Sequence, residues 1–358
     1  MSVIKTAGLF LKGYFGSFGN EKQKGECPPI DFVVAWVDGN DPAWRAEKES
    51  YLDKADAYTK EETKDFHFRD WGIFKYWFRS VEKNAPWVNH IYFVTWGHVP
   101  EWLDTSNPKI TVVKHEDFIP KEFLPTFNAN TIETNLHRIK GLSENFVFFN
   151  DDMYLNSPFK PTDFFVNGKA VYPAIFLPVA NVATNSAFRH MLLSNASLIL
   201  KMHDVREIVK KNPKLFFSHK YGIYAFTNIF FAYSRPYGSL HFLHMYYPLR
   251  KQDFEKVWSE CEKEMTESCV NKFRHPYQYT DVLFLAESAM QGGMIPCKMF
   301  GHVYLLSHYE RIKADMEKEK NRVFCLNDVW NMEDTENVRA NLQKIFEDKY
   351  PEKSSFEK

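Results

Sequence analysis

The stretch IDFVVAWVDGND at residues 30–41 decides the fold, because a run of β-branched and aromatic residues leads directly into an acidic turn. The stretch FVFFNDD at residues 146–152 repeats this arrangement. HIYFVT at 90–95 and ITVVK at 110–114 predict two more strands, and the apolar spacing from Trp71 to Val81 predicts an amphipathic helix. Strands that alternate with helical stretches indicate an α/β fold with a mostly parallel sheet.

The two acidic turns predict a common site. Ligands of open α/β sheets bind beyond the carboxyl ends of the strands, where Asp38 and the triplet Asn150-Asp151-Asp152 are expected. Adjacent carboxylates there could hold a hard divalent ion such as Mg²⁺. The alternative is structural, since Asn and Asp also favour plain turns and helix N-caps.

Three other groups stay ambiguous when each is taken alone. Arg69, just before the Trp71 helix, could meet a phosphate or form a surface ion pair. Glu133 and His137 are four residues apart, which favours a surface pair on one helix face. The second half of the chain scatters histidines and arginines, and a lone histidine is more often structural than catalytic.

Composition excludes several classes of protein. The 358 residues carry 45 basic and 46 acidic side chains, for a formal net charge of -1, which argues against a nucleic-acid binder. Five widely spaced cysteines without a C-x-x-C motif argue against a disulfide framework or a structural zinc site. The chain shows no G-x-G-x-x-G, Walker A, G-x-S-x-G or H-E-x-x-H motif, which disfavours dinucleotide oxidoreductases, P-loop kinases, elbow-type serine hydrolases and zincins.

The two ends of the chain are predicted to lie outside the catalytic body. Residues 1–29 form an N-terminal extension and linker. Within them, residues 1–19 mix lysines with apolar side chains and could either lie on an anionic membrane surface or form a disordered or docked tail. Residues 346–358 are predicted to be a tail, frayed from Glu352 onward. The sequence contains no window of 18 apolar residues, so no membrane-spanning helix is predicted.

Read in order, these segments resemble the conserved regions of the Stealth family of sugar-phosphate transferases. That family includes bacterial capsular and exopolysaccharide phosphotransferases and the lysosomal-enzyme GlcNAc-1-phosphotransferase. The matching blocks are IDFVVAWVDGNDPAW (30–44), the long segment 68–103 with 124–155, the segment from HMYYPL (244–249) through NKFRHPY (271–277), and CLND (325–328).

The resemblance implies transfer of a hexose-1-phosphate from a UDP-hexose to a hydroxyl of a polysaccharide or oligosaccharide acceptor, which gives a phosphodiester and UMP. It also implies a GT-A-like nucleotide-sugar-binding core over residues 30–345, with a helical acceptor-side region at about 186–290. Carried over by position, the family's functional residues fall on Asp38, Glu133, Asp151, Asp152, His244, Arg274, Asn327 and Asp328.

This chemistry suggests a role for each residue type. Asp151 and Asp152 would bind Mg²⁺ or Mn²⁺, and Arg274 would neutralise the transferred phosphoryl oxygens. Either Asp152 or His244 would accept the proton of the attacking hydroxyl. Trp36 or Trp44 would stack on the uridine. Further substrate contacts are expected from Asp38, Arg69, Asn150, Asn327 and Asp328.

The chain departs from the usual family pattern at a few positions, which leaves the sugar and the acceptor open: Trp71, Trp77, Tyr246 and Tyr247. Two alternatives also stay open. One is a metal-dependent glycosyltransferase that releases UDP, and the other is a non-catalytic module that binds polysaccharide or nucleotide. The expected location is the cytoplasm, with peripheral contact at the inner face of a bacterial membrane.

Overall fold

The computed structural model describes residues 3–17, 21–52, 63–64, 68–179, 187–229, 238–241, 243–328, 332 and 334–358. The strands of this part of the chain are β1 (Ile30–Ala35), β2 (Ile91–Thr95), β3 (Ile110–Lys114), β4 (Asn145–Asn150), β5 (Met153–Leu155), β6 (Phe165–Val166), β7 (Lys169–Val171), β8 (Phe176–Pro178), β9 (Gly238–Leu240), β10 (Tyr247–Arg250), β11 (Met294–Ile295), β12 (His302–Leu305) and β13 (Val323–Asn327).

The α-helices of the same part are α1 (Val3–Gly16), α2 (Pro42–Leu52), α3 (Lys75–Asn84), α4 (His115–Phe118), α5 (Ala129–Glu133), α6 (Pro161–Phe164), α7 (Ala187–Met202), α8 (Val205–Lys211), α9 (Pro213–Phe216), α10 (Lys251–Glu260), α11 (Glu262–Cys269), α12 (Val282–Met290), α13 (Tyr309–Lys318) and α14 (Thr335–Lys349). Short 3₁₀ helices cover Lys121–Phe123, Leu136–Arg138 and His219–Phe226.

A five-stranded sheet with the order β10-β4-β1-β2-β3 forms the centre of the molecule. β1, β2, β3 and β4 run parallel, and β10 pairs antiparallel with β4. This confirms the predicted α/β class and mostly parallel sheet, and all four sequence-predicted strands form within two residues of their expected bounds. β1 lies in the middle of the sheet, and its residues are buried on both faces, as in a strand that is covered on both sides.

Aromatic side chains fill the core around this sheet. Phe32, Phe93, Phe148 and Phe149 are fully buried, as is Trp77 of helix α3. Asp31 is also fully buried, and its two carboxylate oxygens accept hydrogen bonds from the Asn89 side chain and the Ser143 backbone. Satisfying both oxygens removes most of the cost of placing a carboxylate in this core.

Smaller sheets extend the body beyond the central sheet. β13 lies between β12, to which it is parallel, and β5, to which it is antiparallel. β7 lies between β6 and β11, and β8 pairs with β9. The predicted helical portion at 186–290 contains helices α7 to α12, but it also contributes β9 and β10. β10 returns to the central sheet, where it pairs with β4.

The prediction of a frayed C-terminal tail is wrong. Phe356 is buried, and the Glu357 carboxylate accepts two hydrogen bonds of 2.8 Å from the Arg79 guanidinium. Backbone hydrogen bonds join Phe356 and Lys358 to the segment at 102–104. The sequence of this end is polar and gives no sign that the segment is anchored. A bidentate ion pair and one apolar side chain hold it in place.

Among the described residues, no helix is both long enough and apolar enough to cross a membrane.

Candidate active site

The carboxyl ends of β1 and β4 lie side by side. Ala35, the last residue of β1, pairs with Asn150, the last residue of β4. The chain therefore leaves both strands at the same edge of the sheet, and the acidic turns that begin at Asp38 and Asp151 follow there. This confirms the predicted convergence of the two turns, which follows directly from parallel pairing in register.

Antiparallel strands bring two more segments to this edge. β10 begins at Tyr247, opposite Phe148 near the end of β4, so His244 precedes it at the same edge. β13 runs antiparallel to β5, and the backbone N–H of Leu326 donates to the Asp152 carbonyl at 2.9 Å. The end of β13 therefore lies beside the turn that carries Asp152.

Asp152, His244 and Cys325 form what we call the strand-end corner, together with Asp151. Asp152 Oδ2 lies 3.9 Å from His244 Nε2 and accepts a hydrogen bond from the Cys325 thiol at 3.2 Å. His244 has a φ of 49°, in the left-handed region that non-glycine residues seldom adopt. Such backbone strain persists only where the surroundings impose it, which is common at functional sites.

Burial and mutual repulsion dominate the electrostatics of this corner. Burial raises the pKa of the Asp152 carboxyl, while His244 and the Cys325 thiol oppose the shift. The pKa of the Asp151 carboxyl is raised well above its usual value by burial, then by the charges of Asp152 and Asp70. Three carboxyl groups therefore lie close together in a site that is partly shielded from water. This arrangement favours the binding of a cation or of a proton.

A divalent cation fits this donor set. Single donor atoms of Asp152, His244 and Cys325 lie within 4.8 Å of one another. Asp152 Oδ1 is buried and accepts no hydrogen bond from the described part of the chain. Burial, and then the charge of Asp152, raise the pKa of the Cys325 thiol well above its usual value, which opposes its use as a thiolate ligand. A hard ion prefers oxygen donors, which are the carboxylates of Asp152 and its neighbour Asp151, and His244 offers a nitrogen.

The residues at the end of β13 contact the segment before helix α3. Arg69 Nη1 lies 3.3 Å from the Asp328 carboxylate, which also accepts a hydrogen bond from Trp71 Nε1 at 3.2 Å. The structure thus brings together two predicted substrate-binding residues that are 259 positions apart. Asn327 lies beside them, with its Oδ1 3.9 Å from Cys325 Sγ.

A histidine that the sequence did not single out positions Asp38. The backbone N–H of Asp38 donates to His98 Nε2 at 2.8 Å, and burial lowers the pKa of this imidazole. Because Nε2 accepts, His98 is neutral and carries its proton on Nδ1. Its ring packs edge-on against Trp36 at 5.2 Å.

The packing does not favour the predicted role of Trp36 or Trp44 as a uridine platform. Trp36 is buried and stacks on Phe74, with ring centroids 5.7 Å apart. Trp44 is buried against Phe68 and Phe127. Both indoles serve the core in this conformation, and uridine stacking stays a prediction.

Glu133, Arg274 and Asp281 form a second group, which we call the loop corner. Glu133 and Asp281 are both buried. Burial raises the pKa of Glu133 to about 7, and the Arg274 charge opposes this shift only in part. The pKa of Asp281 is raised well above its usual value by burial and then by Glu133. The expectation that Glu133 and His137 form a surface pair is wrong, because both side chains are buried.

Side-chain amides build the loop corner. Asn128 caps helix α5, which ends at Glu133, by accepting the Asn130 backbone N–H. The Asn128 amide also donates to the carbonyls of Asn271 and Phe273, at 3.1 and 3.0 Å. One residue therefore positions both the helix that carries Glu133 and the loop that carries Arg274.

Tyr247 lies between the two corners. Burial raises the pKa of its hydroxyl well above the usual value, and the charges of Asp281, Glu133 and Cys325 raise it further. Groups of both corners therefore act on the same buried hydroxyl. His244 precedes Tyr247 by three residues on the same chain segment.

Sequence reasoning missed several residues of the site. The sequence pattern includes Cys325 only within the CLND block, and it does not single out Asp70, His98 or Asp281. A thiol facing a carboxylate leaves no local signal, whereas Asp281 at the N-cap of helix α12 does, because Asp is favoured at that position. For Cys325, the available signal is its position two residues before Asn327, on an apolar run.

An α/β protein with acidic, imidazole and guanidinium groups at the carboxyl edge of its parallel sheet is a candidate phosphoryl or glycosyl transferase. Comparison with known proteins is more specific. Residues 28–56 match Stealth protein conserved region 1, residues 67–172 match conserved region 2, and residues 314–358 match conserved region 4. The chain belongs to the Stealth family of sugar-phosphate transferases.

Its relatives include bacterial phosphotransferases matched over almost their whole length. The capsular polysaccharide phosphotransferase WcwK of Streptococcus pneumoniae is 40% identical over 334 residues, which cover 92% of this chain and 99% of WcwK. The exopolysaccharide phosphotransferase cps2G of Lactiplantibacillus plantarum is 36% identical and covered to 96%. Among solved structures, the galactosyltransferase LgtC covers 88% of this chain and is itself covered to 95%, at 11% identity and a TM-score of 0.38, a likeness too low to carry an argument.

Proposed function

We propose that this protein is a capsular or exopolysaccharide phosphotransferase that moves a hexose-1-phosphate from a UDP-hexose to a saccharide hydroxyl. The acceptor oxygen would form a bond to the β-phosphorus, and the bond from that phosphorus to the bridging oxygen would break. UMP would leave with the bridging oxygen, and the product would be a phosphodiester. The names of the relatives WcwK and cps2G support this reaction class.

The observation that carries the proposal is the Asp152–His244 pair of the strand-end corner. The two oxygens of Asp152 have different surroundings, since Oδ2 accepts from Cys325 and faces His244, whereas Oδ1 is left for another ligand. His244 would take the proton of the acceptor hydroxyl, with Asp152 Oδ2 stabilising the imidazolium that forms. Asp152 as the base is the competing assignment.

Asp151 and Asp152 would hold a divalent ion, Mg²⁺ or Mn²⁺. When bound, such an ion supplies neutralisation of the negative charge on the two phosphates. Arg274 would meet the equatorial oxygens of the transferred phosphoryl group, because its planar fork can contact two of them at once. Glu133 and Asp281 would orient that guanidinium. Arg69, Asn327 and Asp328 would line the donor side, with Asp38 and Asn150.

Product analysis tests the proposal. The protein is incubated with a panel of UDP-hexoses and oligosaccharide acceptors, and the products are followed by phosphorus NMR and nucleotide chromatography. We expect a phosphodiester resonance and equimolar UMP. Release of UDP with a phosphate-free glycoside would instead show the glycosyltransferase alternative. Nucleotide binding without turnover would show a binding module.

Chelation tests the metal. EDTA is expected to abolish turnover, and Mg²⁺ or Mn²⁺ is expected to restore it. The variant Asp151→Asn, which keeps the side-chain shape and removes the charge, should need a higher metal concentration. Full activity in excess chelator would contradict a metal role.

The cytoplasmic location and the contact of residues 1–19 with a membrane stay predictions.

A further inference from the structure

Helix α1 is docked on the helical region through one face. Gly13 lies against the backbone of Pro213, where a Cβ would collide with the carbonyl oxygen, so only glycine permits this approach. The Phe10 ring contacts Phe217 at 5.8 Å and stacks on Phe226 at 4.9 Å. Of the two sequence expectations for this end, a docked segment fits residues 3–16, and the helix has a defined inner face.

The outer face of α1 is apolar as well. Ile4, Leu11 and Phe15 recur at intervals of seven and four residues, which places them on one helix face. They are 84%, 51% and 63% exposed. The 3₁₀ helix that contacts Phe10 also exposes two apolar side chains, Ile223 at 78% and Phe226 at 53%. A water-facing helix normally carries polar residues on this face, and a contiguous exposed apolar patch marks an interaction surface.

A lysine-lined cleft borders this patch. It has a volume of about 570 Å³, and its wall includes Lys12, Lys169, Lys211, Lys214 and Lys220, against a single carboxylate from Glu21. Lys169 pairs with Glu21 at 3.4 Å, and Lys220 donates to the Pro296 carbonyl. Lys12, Lys211 and Lys214 are exposed, and no ion pair joins them to a carboxylate of the described residues.

We infer that the outer face of α1 and the lysine cleft form one docking surface for an anionic lipid bilayer. The apolar side chains would enter the boundary between headgroups and acyl chains, and the lysines beside them would meet lipid phosphates. An amphipathic helix with basic residues flanking its apolar face binds membranes in this way. Each lysine near an anionic surface adds to this attraction.

Charge complementarity favours an anionic bilayer as the partner of this docking surface. The chain as a whole is neutral, with a formal net charge of -1, so the excess of lysine at this surface is local. A soluble anion would use the cleft but would leave Ile4, Leu11 and Phe15 in water. A bilayer with anionic headgroups satisfies the charged and the apolar parts of the surface together.

Vesicle sedimentation of the full chain tests the inference. Wild-type protein is mixed with vesicles of phosphatidylcholine alone, or of equal parts phosphatidylcholine and phosphatidylglycerol. We expect binding to the anionic vesicles to be at least about tenfold stronger, and to weaken as salt is raised. Equal binding to both vesicle types, or no binding to either, would overturn the inference.

Two sets of variants locate the surface. Lys12→Glu with Lys211→Glu and Lys214→Glu should weaken binding to anionic vesicles by more than about tenfold. The matched control is Lys313→Glu with Lys318→Glu and Lys344→Glu, which changes the net charge equally on helices α13 and α14 and should bind almost as wild type does. Equal loss in both sets would mean that only net charge matters, and would refute a built surface.

A separate double variant tests the apolar part of the docking surface. Leu11→Ser with Phe15→Ser removes two exposed side chains from the outer face of α1 and leaves the docked face unchanged. We expect binding to fall while its dependence on salt persists. Unchanged binding would contradict insertion of α1. Thermal melting monitors folding, and turnover with a soluble acceptor should be unaltered, because none of these residues belongs to the active site.

Discussion

The strand-end corner and the loop corner both hold carboxyl groups whose pKa is raised by burial, but the two corners are built differently. Asp152 and its neighbours are placed by backbone pairing among β4, β5, β10 and β13. Glu133 and Arg274 are placed by side-chain amides that tie a short helix to an irregular loop. Backbone register fixes a position with many hydrogen bonds at once, whereas each amide anchor is a single residue. We therefore expect the strand-end corner to tolerate change around it and the loop corner to depend on its supports.

The largest effect is expected from Asp152→Ala. This substitution removes the carboxylate that faces His244 and could bind the metal, so turnover should fall by about a thousandfold or more. Stability should change little or even rise, because burial of this carboxyl raises its pKa and so opposes its charged form. The measurement is kcat together with the thermal midpoint.

Asp348→Ala, at an exposed position of helix α14, is the matched control and should leave turnover intact. Near-normal turnover of Asp152→Ala in a folded protein would remove Asp152 from the mechanism and with it the main role of the strand-end corner.

Arg274→Lys is expected to have the second largest effect. An ammonium group keeps the charge but loses the planar fork, so turnover should fall by about a hundredfold. Arg311→Lys, exposed on helix α13, controls for the general exchange. A fully active lysine variant would show that the loop corner supplies only charge, and the phosphate clamp would be abandoned.

Asn128→Ala tests the dependence of the loop corner on one anchor. The variant loses two hydrogen bonds to the loop and the cap of helix α5, for about 2 kcal/mol of stability. Because Glu133 and Arg274 then lose their alignment, turnover should fall by about tenfold while donor binding changes less. Asn341→Ala, on the surface of α14, should change neither quantity. A loss of stability without any loss of turnover would show that the anchor only supports the fold.

The smallest expected effect is a pH dependence of the free energy of unfolding, which arises from Glu133. Above pH 4.5 the unfolded chain releases the Glu133 proton, but the folded protein keeps it until about pH 7. Rising pH between these values therefore favours the unfolded state, by about 1–3 kcal/mol in all. The Glu133→Gln variant should show a flatter profile of unfolding free energy against pH. Identical profiles for the variant and wild type would mean that Glu133 ionises as it does in water.

The same difference in construction explains what the sequence could predict. The convergence of Asp38 with Asp151 and Asp152 followed from apolar runs and parallel pairing, which are local signals. The positions of Glu133, His244 and Arg274 came only from the resemblance to a family. The contact of Cys325 with Asp152 and the ion pair of Glu357 with Arg79 are long-range side-chain contacts, and no local pattern encodes them. They exist only once the whole chain has packed.

A doubly labelled donor tests the central claim most directly. UDP-hexose is prepared with radioactive carbon in the hexose and radioactive phosphorus at the β position, and the saccharide product is counted for both. If the chain transfers hexose-1-phosphate, both labels enter the product in equal amounts and UMP leaves unlabelled. Carbon label in the saccharide with the phosphorus label left in UDP would contradict the account.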